Sequence, residues 1–335
     1  MSKIYIPDGY RSPLPVHEMQ KAIEFIKKNF QVKLSEALHL RRVSAPLFVD
    51  KDSGLNDNLN GYERPVEFDI PSVGSCGQVV HSLAKWKRLA LKRYEFRPGK
   101  GIYTDMNAIR RDEDVDNIHS VYVDQWDWEK IITREDRTLD YLYETAQSIV
   151  DAIVDTSSLL QNEFPQIDVK LFRKMVPVTS QELEDMYPGL SAKEREDAFT
   201  KKHKVVFISQ IGKTLRSGQK HDGRAPDYDD WELNGDILFW DDTLNRALEI
   251  SSMGIRVDEA SLAKQLELAG CKERASLPFH KMLLNGELPL TIGGGIGQSR
   301  LCMLLIGCAH IGEVQSSIWD ENTVKTCEKA GITLL

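Results

Sequence analysis

Residues 291–306 read TIGGGIGQSRLCMLLI, and this stretch decides the fold of the chain. Glycine alternates at positions 293, 295 and 297, so a flat ring or a phosphate group can lie close to the main chain. Arg300 and an apolar run of helical length follow. The stretch therefore predicts a strand that runs into a helix. A helix N-terminus favours anions, and the Arg300 guanidinium suits phosphate pairing or stacking on a purine.

Two common nucleotide-binding motifs do not match. The Rossmann pattern would require glycine at position 298, where the chain has Gln298. A Walker loop that ends in Gly212-Lys213-Thr214 would require glycine where Phe207 stands. Taken alone, residues 291–306 leave a second explanation open, a structural glycine-rich turn with an arginine.

Composition narrows the functional classes. The 335 residues are 41% hydrophobic and 28% charged, which is typical of a globular protein with one large domain or two smaller ones. A net charge of −8 disfavours broad binding to nucleic acid. The five cysteines contain no Cys-x-x-Cys pair, which argues for a reducing compartment and against a zinc site. No apolar run reaches membrane-spanning length, so we expect a cytoplasmic protein without a membrane anchor.

Periodicity predicts the elements around this stretch. An apolar stripe predicts a helix over 16–30, followed by a strand in 38–49 whose Pro46 belongs at an edge or start. Ser82 is a plausible cap for the next helix, and the basic residues of 85–100 favour a solvated helix face over an RNA-binding patch. The other predictions are helices at 138–160 and 179–203, strands at 119–128, 205–208, 236–240 and 248–257, and a polar loop or lid at 213–231.

Two acidic residues precede the glycine-rich stretch in the sequence. Asp236 and Glu249 fall on two predicted antiparallel strands, so their carboxylates can share a divalent cation such as Mg²⁺. Small residues at 251, 252 and 254 would let a substrate approach the second strand. Two exposed strand acids without a ligand are the alternative explanation.

Three segments resemble, in their order along the chain, the three motifs of class II aminoacyl-tRNA synthetases. Gly-x-Gly-x-Gly-x-x-Arg at 293–300 resembles the third motif. The charged hairpin at 109–128, with Arg110 and Glu113 assigned to its first strand, resembles the second. The helix and strand at 16–49 resemble the first, which forms a homodimer interface. The resemblance implies an α+β fold with an antiparallel sheet of six to eight strands flanked by helices.

Longer literal runs resemble one offshoot of that class, the ammonia-dependent asparagine synthetase (aspartate–ammonia ligase) family. The resemblance spans about residues 17–320, which leaves no room ahead of it for an anticodon-binding barrel. We therefore expect residues 1–335 to form a single catalytic domain, and we do not expect nucleic acid as a partner. Transfer of aspartate to tRNA and a non-catalytic nucleotide-binding paralogue are the alternatives. The runs are NDNLNG (56–61), VVHSLAKWKR (79–88), RRDED (110–114), HSVYVDQWDWE (119–129), HDGRAPDYDDW (221–231), NGDI (234–237), SSMGIRVD (251–258) and TIGGGIGQSRL (291–301).

The resemblance implies a two-step reaction. The side-chain carboxylate of L-aspartate attacks the α-phosphorus of ATP, which is bound with Mg²⁺, and gives β-aspartyl-AMP and pyrophosphate. Ammonia then attacks the activated carbonyl and gives asparagine and AMP. Both steps depend on positioning and charge neutralisation.

Matched positions then receive expected roles toward ATP. Arg110 is expected to neutralise the α-phosphate, Glu113 to lie near adenine, and Arg300 to stack on adenine or hold the γ-phosphate. The other residues expected around ATP and its metal are Gly295 and Gly297 as the floor, Asp229 as a residue of the closing loop, and Asp236 and Glu249 as Mg²⁺ ligands.

Roles toward the other two substrates follow in the same way. Lys87 and Arg256 are expected to hold the α-carboxylate of aspartate, which lies with its side chain toward ATP. Asp57 and Gln125 are expected to attract ammonium and to help remove its proton. For Asp57 alone, a turn carboxylate that caps main-chain amides is the alternative. The remaining residues expected around aspartate are Ser82 and Asp127, toward its ammonium group, and Ser252.

Overall fold

The computed structural model describes residues 4–59, 61 and 63–335, and in these ranges the chain forms two β-sheets with helices packed around them. The strands are β1 (Leu40–Arg42), β2 (Phe48–Asp50), β3 (Glu67–Ile70), β4 (Ser75–Val79), β5 (Gly101–Ile109), β6 (Tyr122–Ile131), β7 (Val176–Thr179), β8 (Val205–Ser209), β9 (Asp229–Asp241), β10 (Arg246–Arg256) and β11 (Thr291–Gly297). The helices are α1 (Val16–Leu38), α2 (Ala84–Arg93), α3 (Leu139–Glu163), α4 (Ser180–Met186), α5 (Ala192–His203), α6 (Glu259–Leu268), α7 (Pro278–Leu284), α8 (Gln298–Ile306) and α9 (Glu321–Lys329).

The larger sheet has eight strands in the order β1-β5-β6-β11-β10-β9-β8-β7. Its inner pairs are antiparallel, and the two outermost pairs, β1–β5 and β7–β8, are parallel. This arrangement confirms the predicted α+β class. The glycine-rich stretch forms β11 and leads directly into α8, as predicted, and it lies between β6 and β10 in the middle of the sheet. A smaller sheet has the order β2-β4-β3.

The main core lies between the sheet and α1, α3 and α8. Phe30 of α1 packs against Trp126 of β6 with ring centroids 4.7 Å apart. The helix α1 extends past the predicted end at Phe30 because its buried stripe continues through Leu34 and Leu38. It ends at His39, whose left-handed backbone (φ 59°) stops the helix.

Two predicted elements are divided in the structure. The predicted helix over 179–203 is two helices, α4 and α5, because Thr179 and Ser191 each begin a helix with a capping box. The predicted strand in 38–49 is also two strands in different sheets, β1 and β2, with Pro46 in the connection between them.

Helix α2 differs most from its prediction. Its N-cap is Leu83, so the assignment of Ser82 as the cap is wrong. The predicted solvated basic face is only partly present. Lys85, Lys87 and Arg88 are buried at 2%, 0% and 3% exposure, whereas the basic residues at 92, 93, 97 and 100 are exposed. Each of the three buried side chains has acceptors from segments distant in the sequence, which a helical charge pattern does not reveal.

Among the described residues, the helices all fall short of the length and apolarity needed to cross a bilayer.

Candidate active site

A cavity of about 550 Å³ opens above the centre of the larger sheet. Residues from β6, β10, β11 and α8 line it, together with the loops that precede β6 and β9. Most of the residues predicted for a site converge here. They are Asp57, Ser82, Arg110, Glu113, Gln125, Asp127, Glu249, Ser252, Arg256, Gly295, Gly297 and Arg300. The other three, Lys87, Asp229 and Asp236, are buried beside or beneath the cavity rather than on its lining.

The glycines of β11 form the floor. A Cβ at Gly295 would come within 2.3 Å of Gln125 Oε1, so the Gln125 side chain packs on this glycine. Gly293 has a different reason to be glycine, because a Cβ there would meet Glu129 Oε2 at 2.0 Å and Arg256 Nη2 at 2.6 Å. The expectation that every second glycine admits a ligand is therefore wrong at Gly293, which admits a buried ion pair.

That ion pair belongs to a charged network under the floor. Arg256 Nε donates to Glu129 Oε1 at 3.0 Å and its Nη2 donates to Glu129 Oε2 at 2.8 Å, while its Nη1 donates to Asp229. Burial alone would raise the pKa of Glu129, but the charges of Arg256 and Lys87 lower it overall. Burial likewise opposes the charge of Arg256, yet its two carboxylate partners raise its pKa. The pair therefore remains ionised.

Lys87 lies beneath this floor. Its Nζ donates to Asp127, to Trp128 O at 2.8 Å and to Gly294 O at 3.3 Å. The second oxygen of Asp127 accepts from Leu83 N at 3.1 Å, at the start of α2. Lys87 thus ties α2 to β6 and β11. Its expected contact with aspartate remains a prediction.

Asp229 is not part of a mobile lid. It is the first residue of β9, 1% exposed, and it accepts from Arg256. The predicted polar loop is correspondingly shorter, because β9 begins inside it and Thr214 bridges Lys220 in its first half. Alternating apolar residues are absent at 229–231, so periodicity did not indicate the strand.

The acid pair lies on neighbouring antiparallel strands, as predicted. Asp236 of β9 pairs with Ser252 of β10, and Glu249 pairs with Leu238 two residues further along β9. Arg224 Nη2 donates to Asp236 Oδ1 at 2.6 Å, and Arg300 Nη1 lies 3.9 Å from Glu249 Oε1.

The surroundings of the two carboxyl groups shift their pKa values in opposite directions. Burial and the charge of Glu249 raise the pKa of Asp236 in spite of Arg224. Burial also acts on Glu249, but Arg300 and Lys193 lower its pKa overall. In the part of the chain that the structure describes, no three metal-ligating side chains converge on one point. Two carboxylates suit Mg²⁺, which takes most of its other ligands from water and phosphate.

Arg110 and Glu113 lie on the turn after β5, which ends at Ile109, so their assignment to a strand is wrong. Arg110 Nη1 lies 3.9 Å from Glu113 Oε2, and both side chains are about a quarter exposed, at 27% and 25%. The Arg110 Nε has no hydrogen-bond partner among the described residues. This turn therefore presents a guanidinium that is only loosely paired.

Asp57 caps a turn and also lines the cavity, and its role toward ammonium remains a prediction. Its Oδ1 accepts from Leu59 N at 2.8 Å, which is the turn-capping bond of the alternative, and it also lines the cavity at 3% exposure. Asn56 holds this loop in place, because its Oδ1 accepts from Asp57 N and His81 N at 2.9 Å each. Asn60, within the run 56–61, lies outside the described residues.

The N-terminus of α8 is already occupied. Asp124 of β6 accepts from Ser299 N at 3.1 Å and from Ser299 Oγ at 2.7 Å. The expectation that this helix end holds an anion is therefore met by a protein carboxylate. Arg300, one residue later, donates to the backbone oxygens of Glu249 and Ile118 at 3.2 and 3.3 Å.

Sequence reasoning missed several residues of the cavity wall. Arg224 and Tyr228 come from the segment before β9, and Lys193 comes from α5. Burial raises the pKa of Tyr228 well above its usual value, and the nearby carboxylates of Asp57 and Asp229 raise it further. The run HDGRAPDYDDW contains two of these residues, but nothing in its spacing distinguished them from a solvated loop.

Two comparisons of the amino-acid sequence show the family to which this chain belongs. The family model described as aspartate–ammonia ligase matches residues 17–331. The aspartate–ammonia ligase of Clostridium tetani is 59% identical over 334 residues, covering 99% of this chain and 98% of the relative. That of Lactobacillus johnsonii is 57% identical over 334 residues, covering 99% of each.

This chain belongs to the aspartate–ammonia ligase family. Comparison with solved structures shows that this chain has the fold of class II aminoacyl-tRNA synthetases. Asparaginyl-tRNA synthetase from Pyrococcus horikoshii, complexed with asparaginyl-adenylate, aligns with a TM-score of 0.65 at 14% identity, covering 89% of this chain and 68% of that one. An aspartyl-tRNA synthetase from Entamoeba histolytica aligns with a TM-score of 0.59 at 15% identity, covering 91% and 58%. This chain and these synthetases thus share a fold.

Proposed function

We propose that this protein makes L-asparagine from L-aspartate and ammonia, using ATP and releasing AMP and pyrophosphate through β-aspartyl-AMP. Membership of the aspartate–ammonia ligase family over 17–331 supports the overall reaction. One geometric observation carries the proposal, namely that Asp57 and Gln125 line the same cavity as Arg110, Arg300 and Glu249. A site that binds ATP and a site that receives ammonia are thereby combined.

The first step requires two anions to meet, the aspartate side-chain carboxylate and the α-phosphate of ATP. Arg110, on its turn at the cavity edge, neutralises both and stabilises the charge that develops at phosphorus. Its ion pair with Glu113 is long and partly exposed to solvent. Replacing Glu113 by phosphate as the partner of Arg110 therefore costs little free energy. Glu113 then lies toward adenine, and Gly295 and Gly297 provide the floor beneath the nucleotide.

Asp236 and Glu249 would hold Mg²⁺, which would neutralise charge on the phosphates of ATP when bound. Arg300, beside Glu249, binds adenine or the γ-phosphate. Asp229 pairs with Arg256, at the aspartate end of the cavity, and does not itself touch ATP.

Aspartate occupies the part of the cavity above Arg256. We place its α-carboxylate on Arg256, with Lys87 supporting the floor from below through Gly294 O and Asp127. Its α-ammonium group then faces Asp127 and Ser82, and Ser252 lies along its side. This orientation directs the β-carboxylate toward ATP.

The second step requires a neutral nucleophile, whereas an ammonium ion has an amine-like pKa and is mostly protonated at neutral pH. Asp57 attracts the cation and accepts its proton, and Gln125 orients the ammonia over Gly295. The ammonia nitrogen then attacks the carbonyl carbon of β-aspartyl-AMP, and the bond from that carbon to the bridging oxygen breaks. AMP leaves with that oxygen, and the nitrogen loses its extra proton to solvent.

We further propose that the chain acts as one catalytic domain over 1–335, in the cytoplasm, as a homodimer formed through α1 and β1. The homodimer rests on the resemblance of 16–49 to the first class II motif, the single domain on the resemblance over 17–320, and the cytoplasm on five cysteines without a Cys-x-x-Cys pair.

An assay with and without tRNA tests the proposed function. Purified protein is given aspartate, ATP and Mg²⁺, with ammonium chloride or with tRNA. We expect asparagine and AMP in equal amounts with ammonium, and no aspartyl-tRNA. Formation of aspartyl-tRNA without free asparagine would favour the tRNA alternative and overturn the proposal. The Arg110→Gln variant, purified in parallel, controls for contaminating ligase.

A further inference from the structure

Arg224 holds an unusual position in the cavity wall. It lies on the segment between β8 and β9, and its side chain is 10% exposed. Its Nη1 donates to Ser252 Oγ, and its Nη2 donates to Asp236 Oδ1 at 2.6 Å. Its Nε has no hydrogen-bond partner among the described residues, and Asp229 Oδ2 lies 4.0 Å from it. The Nε donor of this guanidinium in the cavity wall is therefore buried without an acceptor among the described residues.

The backbone around Arg224 is fixed on its C-terminal side. Trp231 Nε1 donates to Ala225 O at 3.3 Å. Three residues after Arg224, the buried Asp227 lies 3.3 Å from Lys85 Nζ and 3.0 Å from His280 Nε2. These contacts pin the segment to α2 and α7, so a change of partner at Arg224 involves its side chain rather than the loop.

The partner of Arg224 has a second proposed use. Asp236 and Glu249 are the proposed Mg²⁺ ligands, and each has an arginine beside it, Arg224 and Arg300. Without ligands, each carboxylate has a guanidinium beside it, and Lys193 adds a further cation near Glu249. Once the carboxylates bind a divalent cation, the guanidiniums beside them need another anion, because an unpaired buried charge is costly.

We propose that Arg224 is a phosphate-binding residue that exchanges Asp236 for phosphate oxygens of ATP and of the pyrophosphate product. Asp236 holds the guanidinium in position before ATP binds. The unused Nε and the two terminal nitrogens then offer the planar donor pattern that matches phosphate. This inference rests on the proposed function, since it assigns Arg224 to the leaving group of the first step.

A different anion could in principle use the same donors. Arg224 also contacts Ser252, which we place beside aspartate, so the α-carboxylate of aspartate is the competing ligand. The direct pairing with Asp236 favours the phosphate, because Asp236 belongs to the metal end of the cavity. The test is therefore designed to separate pyrophosphate from aspartate.

Calorimetry on the full chain measures binding of Mg²⁺-pyrophosphate, AMP and aspartate separately. We expect Arg224→Gln to weaken Mg²⁺-pyrophosphate binding by at least about tenfold, as for loss of a charge-assisted contact, and to change aspartate and AMP binding by less than about twofold. Arg216→Gln is the matched control. Arg216 lies on the same segment, is 74% exposed and pairs with Asp185 outside the cavity, so all three affinities should be unchanged.

A second variant keeps the proposal testable if Arg224→Gln does not fold. Asp236→Asn removes the carboxylate partner of Arg224 while leaving the arginine in place. We expect it to bind pyrophosphate in the absence of Mg²⁺ at least about threefold more tightly than the unchanged protein.

Two results would overturn the role of Arg224 alone. One is weaker aspartate binding with unchanged pyrophosphate binding in Arg224→Gln. The other is unchanged metal-free pyrophosphate binding in Asp236→Asn. If the unchanged protein binds neither AMP nor Mg²⁺-pyrophosphate, the proposed function itself fails.

Discussion

The floor and the edge of the cavity are built from the same charged residue types but in opposite ways. Under the floor, Arg256 and Glu129 are 3% and 0% exposed and share bidentate hydrogen bonds. At the edge, Arg110 and Glu113 are a quarter exposed and separated by 3.9 Å. Fully satisfied buried pairs resist rearrangement, whereas loose exposed pairs contribute little and exchange easily.

This difference assigns different tasks to the two regions. The floor holds the main chain of β11 in fixed geometry before substrate arrives, and with it the pocket proposed for the α-carboxylate. The edge supplies cations whose present partners can be replaced by phosphate. Variants of the floor should therefore affect folding and every step, whereas variants of the edge should affect single steps.

The largest effect is expected at Arg256. Arg256→Gln removes the hydrogen-bonded cation of the buried Glu129 and Asp229 and leaves them only the more distant Lys87 and Arg224, at 3.7 and 4.0 Å. The loss should cost about 3–5 kcal/mol of unfolding free energy. Urea unfolding followed by circular dichroism measures it. Arg134→Gln is the control, because Arg134 is 61% exposed and its loss should change stability by no more than about 0.5 kcal/mol. Equal stability of the two variants would contradict the fixed-floor account.

Arg110 should show the largest effect on chemistry with the fold preserved. Arg110→Gln removes the cation opposite the α-phosphate, so kcat for adenylate formation should fall about 10³-fold, as for loss of a main electrostatic donor. Aspartate-dependent exchange of pyrophosphate into ATP measures this step. The urea midpoint should not move, and a shift comparable to that of Arg256→Gln would place Arg110 in the floor network.

Asp57 should separate the two steps. Asp57→Ala should leave aspartate-dependent pyrophosphate exchange within about twofold of the unchanged protein, while asparagine release falls about 10²-fold for want of a proton acceptor. Rapid-quench measurement of pyrophosphate and of asparagine distinguishes the two steps. If exchange falls as far as asparagine release, Asp57 acts in the first step instead.

Two neighbouring glycines of β11 give a matched pair. An added Cβ at Gly295 meets only the end of the Gln125 side chain, at 2.3 Å, whereas one at Gly294 meets Ser252 O at 2.7 Å and the Met253 backbone at 3.0 Å. Gly295→Ala should therefore fold and lose about tenfold in asparagine formation, because Gln125 is displaced. Gly294→Ala should lower the unfolding free energy by about 1–3 kcal/mol. The reverse ranking of stability would show that Gln125 is rigidly held.

The smallest effect is expected from Arg64 and Asp112. Arg64 Nε donates to Asp112 Oδ2 at 3.0 Å and its backbone N donates to the same oxygen at 2.9 Å, which joins the Asp57 loop to the Arg110 turn. Arg64 is 67% exposed, so Arg64→Gln should change kcat/KM by less than about twofold. A tenfold loss would show that the two loops must move together.

The same contrast explains what the sequence could predict. The strand–helix unit of β11 and α8, the acid pair of β9 and β10, and most of the cavity lining follow from local patterns and literal runs. The buried partners do not, because Lys85 and Asp227 lie 142 residues apart and Arg256 and Glu129 lie 127 apart. The charge pattern of α2 predicts a solvent-exposed helix face, because the acceptors of its buried basic residues come from distant segments. Nothing in the sequence around Arg224 indicates a role in the site, which only its contact with Asp236 reveals.

Oxygen labelling tests the β-aspartyl-AMP intermediate most directly. L-aspartate labelled with ¹⁸O in its side-chain carboxylate is converted with ATP and ammonium, and the AMP is analysed by mass spectrometry. Attack on the α-phosphorus followed by cleavage of the carbon–oxygen bond predicts one ¹⁸O atom in each AMP formed. Unlabelled AMP, or label recovered in inorganic phosphate, would contradict a β-aspartyl-AMP intermediate.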